Sequence, residues 1–506
     1  MNTFMNELQN STNIGLTENG GITRKTTNSK VLDMFALGGS YRQKSDAEVV
    51  TLFSNAFAED KLLALKCLFY LRDVRGGQGE RRFFRLAFKW LCNNFRDIAE
   101  KNLINVSEYG RWDDLIYATV GTPCEKKAFS IIQHQLALDV KCKTPSLLAK
   151  WMPSQNASSA ETKRLGCILA NSMHMSSKDY RRLLSALREK INVLERLMSA
   201  GRWDEIEFDK IPSRAGLIYR NAFARRDILA RKYEAFAKDT STKVNAKTLY
   251  PNDIAEQAFS YQVKHSAVNS PNRLMLQKYW DNLPNYYGGR EENGIAIVDV
   301  SGSMTGQPMN AAVSLGAYIA EKAHGPFANH FITFSANPQL IKFSGVDITE
   351  KFNNCTDADW GMNTNIQAVF DMLLKIAKKQ NVKREDMPTR LYIFSDMQFD
   401  RCVKFNVEPN IGYSYSPYST PRISQEDVAS DLENIKREWE KAGYKLPQII
   451  FWNLNACTNN IPAIGEGFSY VSGFSPSIIE CILGGKDGYD LMLEKLLSDR
   501  YRAIAV

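Results

Sequence analysis

The spacing of hydrophobic positions changes near residue 290 and divides the chain into two halves. From about 45 to 285, apolar residues recur every three or four positions, as in the run Val49, Val50, Leu52, Phe53 and Phe57. This spacing predicts successive amphipathic helices of about 10 to 15 residues. Because the alternation typical of strands is almost absent there, the first half is predicted to be all-helical.

The second half alternates short apolar runs with helical patterns. The predicted strands cover 294–298, 328–334, 390–394, 447–453 and about 468–472. The predicted helices cover about 308–323, 365–379, 424–441, 476–484 and 489–499. Such alternation is typical of βαβ units and a mostly parallel sheet.

These patterns predict an α plus α/β fold with three segments. Residues 1–40 are polar and rich in Asn, Thr and Gly, and are predicted to be a flexible arm. Residues 41–288 are predicted to form an α-solenoid or HEAT-like helical domain. Residues 289–506 are predicted to form a Rossmann-like α/β domain, with a long polar and aromatic insertion at 404–424.

One short motif occurs twice in the helical half. The copies are Gly110-Arg111-Trp112-Asp113-Asp114-Leu115 and Gly201-Arg202-Trp203-Asp204-Glu205-Ile206. A glycine that ends one helix, a packing tryptophan and an acidic first turn make a helix-to-helix corner. We interpret both copies as structural corners rather than binding sites.

Composition narrows the class of protein. The 506 residues are too many for one core, and no apolar run approaches the roughly 18 residues that cross a bilayer. The nine cysteines form no Cys-x-x-Cys pair, which favours reduced thiols over a zinc cluster or disulfide framework. With no secretion signal at the start, a cytoplasmic protein without membrane contact is expected, and we expect a monomer.

Charge is distributed unequally between the halves. Residues 1–290 carry 44 Lys and Arg against 30 Asp and Glu, whereas residues 291–506 carry 20 against 26. A basic half is a candidate for binding a polyanion, although a generally basic helical domain has the same balance.

Three arginine clusters are candidate RNA contacts. Guanidinium groups form bidentate hydrogen bonds to phosphate oxygens, and neighbouring aromatic side chains stack on unpaired bases. The alternative for each cluster is a solvated helix face. The candidates are Arg72, Arg75, Arg81 and Arg82 around a glycine-rich turn, Arg181 and Arg182, and Arg214, Arg220, Arg225 and Arg226.

Oxygen-bearing side chains follow the predicted strands. Asp299, Ser301 and Ser303 come directly after the first strand of the second half, and Asp396 directly after another. Thr364 precedes the amphipathic run that starts at Ile366. Ligands gather outside the carboxyl ends of strands in such sheets, and carboxylate and hydroxyl oxygens suit Mg²⁺. Alternatively, Asp299 and Thr364 only cap the helices that follow them.

This arrangement resembles the von Willebrand factor A domain and its metal-ion-dependent adhesion site. By that resemblance, residues 289–506 form an A-type domain that holds Mg²⁺, or another divalent cation such as Mn²⁺ or Ca²⁺, directly or through water. The ligands implied are Asp299, Ser301, Ser303, Thr364 and Asp396. One departure is that Ser395-Asp396-Met397-Gln398 stands where many members have Thr-Asp-Gly.

A wider resemblance covers nearly the whole chain. A helical half followed by an A domain looks like the Ro autoantigen (TROVE) architecture, in which helical repeats bind RNA. Several motifs resemble more closely an uncharacterised family of large DNA viruses, plants and fungi. These motifs begin at Arg72, Leu148, Ile211, Phe451 and Val471.

Two functions are compatible with these features. The first is a ribonucleoprotein component whose basic helices bind RNA and whose metal site recruits a protein partner. The alternative is a metal-dependent protein-interaction scaffold without nucleic acid. Catalysis is not expected, because the five histidines fall in no nucleophile–base pattern and two carboxylates with hydroxyls suit ligand binding better than water activation.

Overall fold

The computed structural model describes residues 13–191, 193–291, 293–334, 338–356, 364–400, 411–412, 422–423 and 430–506. It divides the chain into two compact units. The sheet unit comprises Met1–Ser45, Tyr250–His265 and Asn285–Lys495. The helical unit comprises Asp46–Leu249, Ser266–Pro284 and Leu496–Val506. A helix-rich first half and a mostly parallel sheet with helices confirm the predicted α plus α/β class.

The described helices are numbered in chain order. The first fourteen are α1 (Lys30–Leu37), α2 (Asp46–Glu59), α3 (Lys61–Arg72), α4 (Arg81–Asn94), α5 (Arg96–Asn102), α6 (Val106–Tyr109), α7 (Trp112–Thr119), α8 (Glu125–Lys141), α9 (Leu148–Trp151), α10 (Ala160–Ser172), α11 (Ser177–Lys190), α12 (Leu194–Ser199), α13 (Ser213–Arg225) and α14 (Asp227–Lys238). The others are α15 (Pro251–Ala258), α16 (Tyr261–Lys264), α17 (Pro271–Asp281), α18 (Gln307–Lys322), α19 (Ile348–Thr356), α20 (Ile366–Gln380), α21 (Asp431–Lys441), α22 (Ile479–Ile482) and α23 (Gly488–Leu496).

The strands form one large sheet and two hairpins. They are β1 (Ile14–Leu16), β2 (Ile22–Arg24), β3 (Gly294–Asp299), β4 (His330–Phe334), β5 (Gln339–Lys342), β6 (Arg390–Ser395), β7 (Ile411–Gly412), β8 (Arg422–Ile423), β9 (Gln448–Asn453) and β10 (Phe468–Ser472). The six-stranded sheet has the order β10-β9-β6-β3-β4-β5, and only β5 runs antiparallel to its neighbour. All five predicted strands are confirmed, and the antiparallel edge strand β5 is an addition.

The central strands are apolar along their whole length because both faces of the sheet are covered. Every residue of β3 is buried, and α18 packs against it closely. A Cβ added at Gly316 of α18 would lie 2.6 Å from Val298 Cγ2. The glycine therefore sets how near this helix approaches the sheet. Burial on both faces is the reason that the strands read as continuous apolar runs.

The N-terminal segment differs from the predicted flexible arm. Residues 14–24 form the antiparallel hairpin β1–β2, and α1 packs on the edge strand β10. The prediction was wrong for residues 13–40 because their polar groups bond to distant parts of the chain, which a local reading of composition cannot detect. For example, Arg24 and Ile461 exchange two backbone hydrogen bonds of 2.9 Å. Residues 1–12 of the predicted arm lie outside the described residues.

The unit boundaries also differ from the predicted ones. The predicted helical segment 41–288 loses 250–265 to the sheet unit, where α15 packs against α18. In return, residues 496–506 of the predicted A domain belong to the helical unit. Sequence order alone could not reveal this exchange, because it depends on contacts between distant segments.

The repeated corner motif takes two different forms. In the first copy, Arg111 is the N-cap of α7 and its backbone N–H donates to Asp114 Oδ2 at 2.9 Å. In the second copy, Trp203–Glu205 is a single 3₁₀ turn and the Arg202–Glu205 ion pair is exposed. Both copies are structural corners, although only Gly201 has the left-handed φ, +72°, expected of a helix-ending glycine.

Two further predictions concern the insertion at 404–424 and membrane contact. Most of the predicted 404–424 insertion lies outside the described residues. Its described part consists of β7 and β8, which pair antiparallel. Among the residues that are described, no helix has the length and apolar character needed to cross a membrane.

Candidate functional site

The two predicted carboxylate ligands lie at the carboxyl edge of the sheet. Asp299 is the last residue of β3, and Asp396 follows the last residue of β6. Since β3 and β6 are paired parallel neighbours, both strands deliver their carboxylates to the same edge. Both residues are fully buried.

Asp299 is held by two hydrogen bonds from neighbouring loops. The backbone N–H of Ser301 donates to Asp299 Oδ1 at 2.9 Å, and the Ser395 hydroxyl donates to Oδ2 at 2.6 Å. The hydroxyl oxygens of Ser301 and Ser303 lie 3.1 Å apart. The carboxylate and both hydroxyls of the Asp-x-Ser-x-Ser motif are therefore gathered in one place.

Asp396 is less completely satisfied. Its Oδ1 accepts a hydrogen bond of 3.1 Å from the backbone N–H of Gln398. Its Oδ2 is buried and has no hydrogen-bond partner among the described residues. A buried polar atom without a partner is costly, and in a native protein it needs an explanation such as a bound ion.

Electrostatics at this edge favour a positive ligand. Burial raises the pKa of Asp299 to about 7, and the charge of Asp396 acts in the same direction. Burial likewise raises the pKa of Asp396, against the effect of the Ser303 hydroxyl. Two buried carboxylates that disfavour each other's charge are stabilised together by a cation.

Thr364 lies at the same edge but its hydroxyl is engaged. Thr364 Oγ1 lies 2.9 Å from the Gln398 carbonyl and 2.8 Å from Asp400 Oδ1, both acceptors. It also accepts a hydrogen bond of 2.8 Å from Asn19 Nδ2. The structure therefore joins Thr364 to the loop after Asp396 through Gln398.

The capping alternative is wrong. Asn365, not Thr364, caps α20, because its side chain accepts from the backbone N–H of Ala368. The N-cap of α18 is Gly306, seven residues beyond Asp299. Neither predicted ligand is therefore used to start a helix.

The donor set fits a hard divalent cation. It offers two carboxylates, one with an unpartnered oxygen, together with serine and threonine hydroxyls, which are ligand types that Mg²⁺ takes alongside water. Across the described chain, no three His, Cys, Asp or Glu side chains are grouped as metal ligands. A cation here would thus depend on hydroxyls and water to complete its shell.

Sequence reasoning missed several residues that build this edge. Ser395 orients Asp299, and the Gln398 side-chain amide donates to Thr458. Met397 has a φ of +64°, in the left-handed region that favours glycine. The available signal was Met397 itself, which stands where the motif that the sequence resembles has glycine.

The N-terminal hairpin also reaches this edge. The Thr17 hydroxyl donates to the Phe399 carbonyl at 2.6 Å, and Asn19 Nδ2 donates to the Gln398 carbonyl at 2.7 Å. No sequence signal could have placed these residues here, because they are separated from the loop by more than 370 positions.

The first RNA candidate cluster is largely structural. Arg72 is 2% exposed and forms a 2.6 Å ion pair with the fully buried Asp114. It cannot reach a phosphate without breaking this pair, so its predicted RNA role is wrong. The glycine-rich turn after it is packed as well, since a Cβ at Gly77 would lie 1.8 Å from the Tyr70 carbonyl oxygen.

Arg220 is also excluded as an RNA contact. It is 4% exposed, and its Nη1 donates to the Leu217 carbonyl of its own helix at 2.9 Å. Burial lowers the pKa of its guanidinium, an effect opposed by Tyr233 and Tyr279. Its position in α13 faces the interior of the helical unit.

The other candidate arginines are exposed. Several already have partners: Arg75 pairs with Glu108, Arg82 pairs with Asp46, and Arg226 lies over the Trp203 ring. The exposed members are Arg75, Arg81, Arg82, Arg181, Arg182, Arg214, Arg225 and Arg226. Of these, Arg182 and Arg225 have no ion pair or hydrogen bond to any described residue.

Comparison with known proteins places the chain in a family. It is 30% identical to an uncharacterised protein of Acanthamoeba polyphaga mimivirus, over 94% of this chain and 85% of the viral protein. The chain belongs to the same family as this viral protein. The membership predicted from motifs is thus confirmed for a family that includes a large DNA virus.

Two models of domains of unknown function match this chain. DUF2828 matches residues 17–120 and 169–283, and DUF7788 matches residues 293–499. The first model begins inside the hairpin, and the second covers β3 to α23. The family domain defined by DUF7788 therefore contains all five predicted metal ligands.

Proposed function

We propose that this protein is a metal-dependent binding protein whose sheet unit is a von Willebrand A-type domain. Asp299, Ser301, Ser303, Thr364 and Asp396 would hold Mg²⁺, directly or through water. The bound cation would supply an open coordination position for an acidic group of a partner macromolecule. Thr364 would offer the cation, or one of its waters, the hydroxyl lone pair that the Asn19 amide does not occupy.

One observation supports this proposal above the others. Asp299 and Asp396 are fully buried at one sheet edge, and Asp396 Oδ2 lacks a partner among the described residues. Buried carboxylates whose hydrogen bonding is incomplete are destabilising, and a divalent cation would compensate their charge. A site that presents one cation and hydroxyls is suited to holding a ligand.

The test is calorimetric titration of the full chain, freed of metal by chelation, with Mg²⁺ and Mn²⁺. Wild-type protein is expected to bind one ion, and Asp396→Asn is expected to weaken binding at least about tenfold, because ligand charge sets cation affinity. The matched control is Asp386→Asn, an exposed aspartate of the same unit. Equal affinity in the wild-type and Asp396→Asn proteins would contradict the proposal.

RNA binding by the helical unit is the second candidate. It is favoured by the 44 basic against 30 acidic residues of positions 1–290 and by the exposure of Arg182 and Arg225. Charge-driven binding to single strands weakens with salt, with a slope of log affinity of about −3.5 for five phosphate contacts. Because Arg72 and Arg220 are buried, RNA would have to contact the exposed arginines of the predicted set.

Fluorescence titration of single-stranded RNA over a range of salt concentrations tests this candidate. Arg182→Gln combined with Arg225→Gln is expected to reduce the salt slope by roughly 1.4, since each lost contact removes about 0.7. Lys375→Gln combined with Lys379→Gln, at two exposed lysines of the sheet unit, is the charge-matched comparison. If wild-type protein fails to bind RNA at low salt, the metal-dependent scaffold without nucleic acid remains.

A further inference from the structure

The turn of the N-terminal hairpin, Thr17–Gly21, lies directly on the candidate metal edge. The Glu18 backbone N–H donates to Gln398 Oε1 at 2.9 Å. Asn19 Nδ2 donates to Thr364 Oγ1 at 2.8 Å, and so touches one of the five predicted ligands. The turn and the metal loops are therefore one hydrogen-bonded structure within the sheet unit.

Two glycines allow this close approach. A Cβ added at Gly21 would lie 2.5 Å from the Phe399 carbonyl oxygen, a distance that requires the backbone to move. Gly20 has a φ of +81° and forms a backbone bridge with Asp400. Glycine at both positions fits the contact between the turn and the 398–400 loop.

The contact with Thr364 affects what this hydroxyl can offer a cation. A threonine hydroxyl has one hydrogen and two lone pairs. One lone pair receives the amide hydrogen of Asn19, while the hydroxyl hydrogen is shared between the Gln398 carbonyl and Asp400. The second lone pair stays available to a cation, so the hairpin turn and a metal ion would share this predicted ligand.

Glu18 is the acidic residue of this turn. It is exposed, and its carboxylate has neither an ion pair nor a hydrogen bond to any residue in the described ranges. Its backbone is fixed on Gln398, two residues from Asp396. Glu18 is therefore held beside the loop that follows Asp396.

We propose that Glu18 is a metal ligand supplied by the chain itself, which closes the site in cis until the carboxylate of a partner displaces the turn. This inference rests on the proposed function. In the described residues, Glu18 does not form a three-carboxylate group with Asp299 and Asp396. Ligation would therefore require the unpaired Glu18 side chain to rotate toward the cation, while its fixed backbone stays in place.

The test uses Mn²⁺ alone as the probe and the full chain. Calorimetry measures affinity, and water-proton relaxation measures how many exchangeable waters the bound Mn²⁺ retains. Glu18→Gln is expected to weaken Mn²⁺ about tenfold, because it removes one anionic ligand. It is also expected to add one exchangeable water, since water takes the vacated position. Glu466→Gln, which removes an exposed negative charge from the same unit, is expected to leave both quantities unchanged.

Asn19→Ala tests whether the turn positions Glu18. This variant removes the donor to Thr364 and to the Gln398 carbonyl, so the turn is held less firmly. The number of exchangeable waters is expected to rise as in Glu18→Gln, whereas a purely structural role of Asn19 would lower the melting temperature only.

The possible results separate the inference from the proposed function. If wild-type and Glu18→Gln proteins bind Mn²⁺ equally well with the same number of waters, Glu18 is not a ligand and the inference is overturned. If the wild type binds Mn²⁺ no better than Asp396→Asn, the metal site itself fails. Melting temperatures of all variants show whether each protein is folded.

Discussion

Met397 shows how one residue departs from the pattern of its motif. Its φ of +64° is unfavourable for a residue with a side chain, yet the side chain is only 2% exposed. A left-handed conformation costs about 1–2 kcal/mol, and burying a methionine stabilises by about 1.5–3 kcal/mol. Packing therefore offsets the backbone strain at this position.

Met397→Gly is expected to destabilise the protein slightly rather than stabilise it. The free energy gained by relieving backbone strain is smaller than the free energy lost through reduced burial and the remaining cavity. We therefore expect a net loss of about 1–3 kcal/mol in unfolding free energy. Urea unfolding of the metal-free protein measures this change. Met387→Gly, at a position with a φ of −80°, provides a comparison without strain relief. A gain in stability for Met397→Gly would mean that the side chain contributes little.

Asp114 is the acidic centre of a buried ion cluster. Burial raises the pKa of its carboxyl, but the guanidinium groups of Arg72 and Arg85 together outweigh burial and lower it below its usual value. A carboxyl with a lowered pKa in the folded state contributes stability above its unfolded pKa. That contribution is lost as the pH falls through the folded pKa.

Asp114→Asn is expected to lose about 3–5 kcal/mol at neutral pH, because Arg72 is left buried without a carboxylate. The difference from wild type should shrink as the pH falls from about 4, the pKa of an unfolded aspartate, through the lowered pKa of Asp114 in the folded protein. Urea unfolding at several pH values measures both effects. Asp204→Asn, at an exposed aspartate of the second corner motif, should change stability by less than about 0.5 kcal/mol at every pH.

At the scale of elements, apolar spacing predicted the strands of the sheet and most of its helices. Because β3, β6 and β9 are buried on both faces, each appears in the sequence as a continuous apolar run, which was enough to predict a strand. The short edge strand β5 and helix α19 were missed because half-exposed segments alternate weakly. The hairpin β1–β2 was missed because its partners lie hundreds of residues away.

Gly39 links the N-terminal segment to the sheet, and it allows a specific prediction. A Cβ at this position would lie 2.5 Å from the Ser472 carbonyl oxygen, so Gly39→Ala is expected to displace α1 from β10. We expect a loss of about 1–3 kcal/mol in unfolding free energy and faster proteolysis before residue 45. Gly15→Ala, whose Cβ would meet the flexible Lys25 side chain at 3.2 Å and Thr23 Cγ2 at an ordinary 3.7 Å, should be tolerated. Unchanged proteolysis of Gly39→Ala would contradict the packing described.

At the scale of the whole molecule, the sequence predicted which carboxylates meet at the candidate site but not what surrounds them. Asp299 and Asp396 follow buried strands, a local signal that predicts a common edge. The engagement of Thr364 by Asn19, and the approach of Glu18, depend on a segment that local composition assigned to a flexible arm. For the arginines, local sequence gave the wrong prediction. The charge of a side chain does not tell whether it is exposed, and Arg72 and Arg220 are buried.

The last residues complete the helical unit through Arg500. Its Nε and Nη2 donate to the fully buried carboxylate of Asp73 at 2.8 and 2.9 Å. Arg500→Met is expected to cost about 3–5 kcal/mol, because it leaves Asp73 buried without its cation. Thermal and urea unfolding measure this loss, and the exposed Arg502→Met is the control. Equal stability of the two variants would show that water reaches Asp73.

The return of residues 496–506 to the helical unit has a consequence for how the protein is made. On the ribosome, Asp73 is translated more than 400 residues before Arg500. The helical unit therefore keeps Asp73 without its arginine partner while residues 250–265 and 285–495 of the sheet unit are translated. A nascent chain that stops before residue 496 would leave the helical unit incomplete and accessible to chaperones and proteases, even if the sheet had already folded.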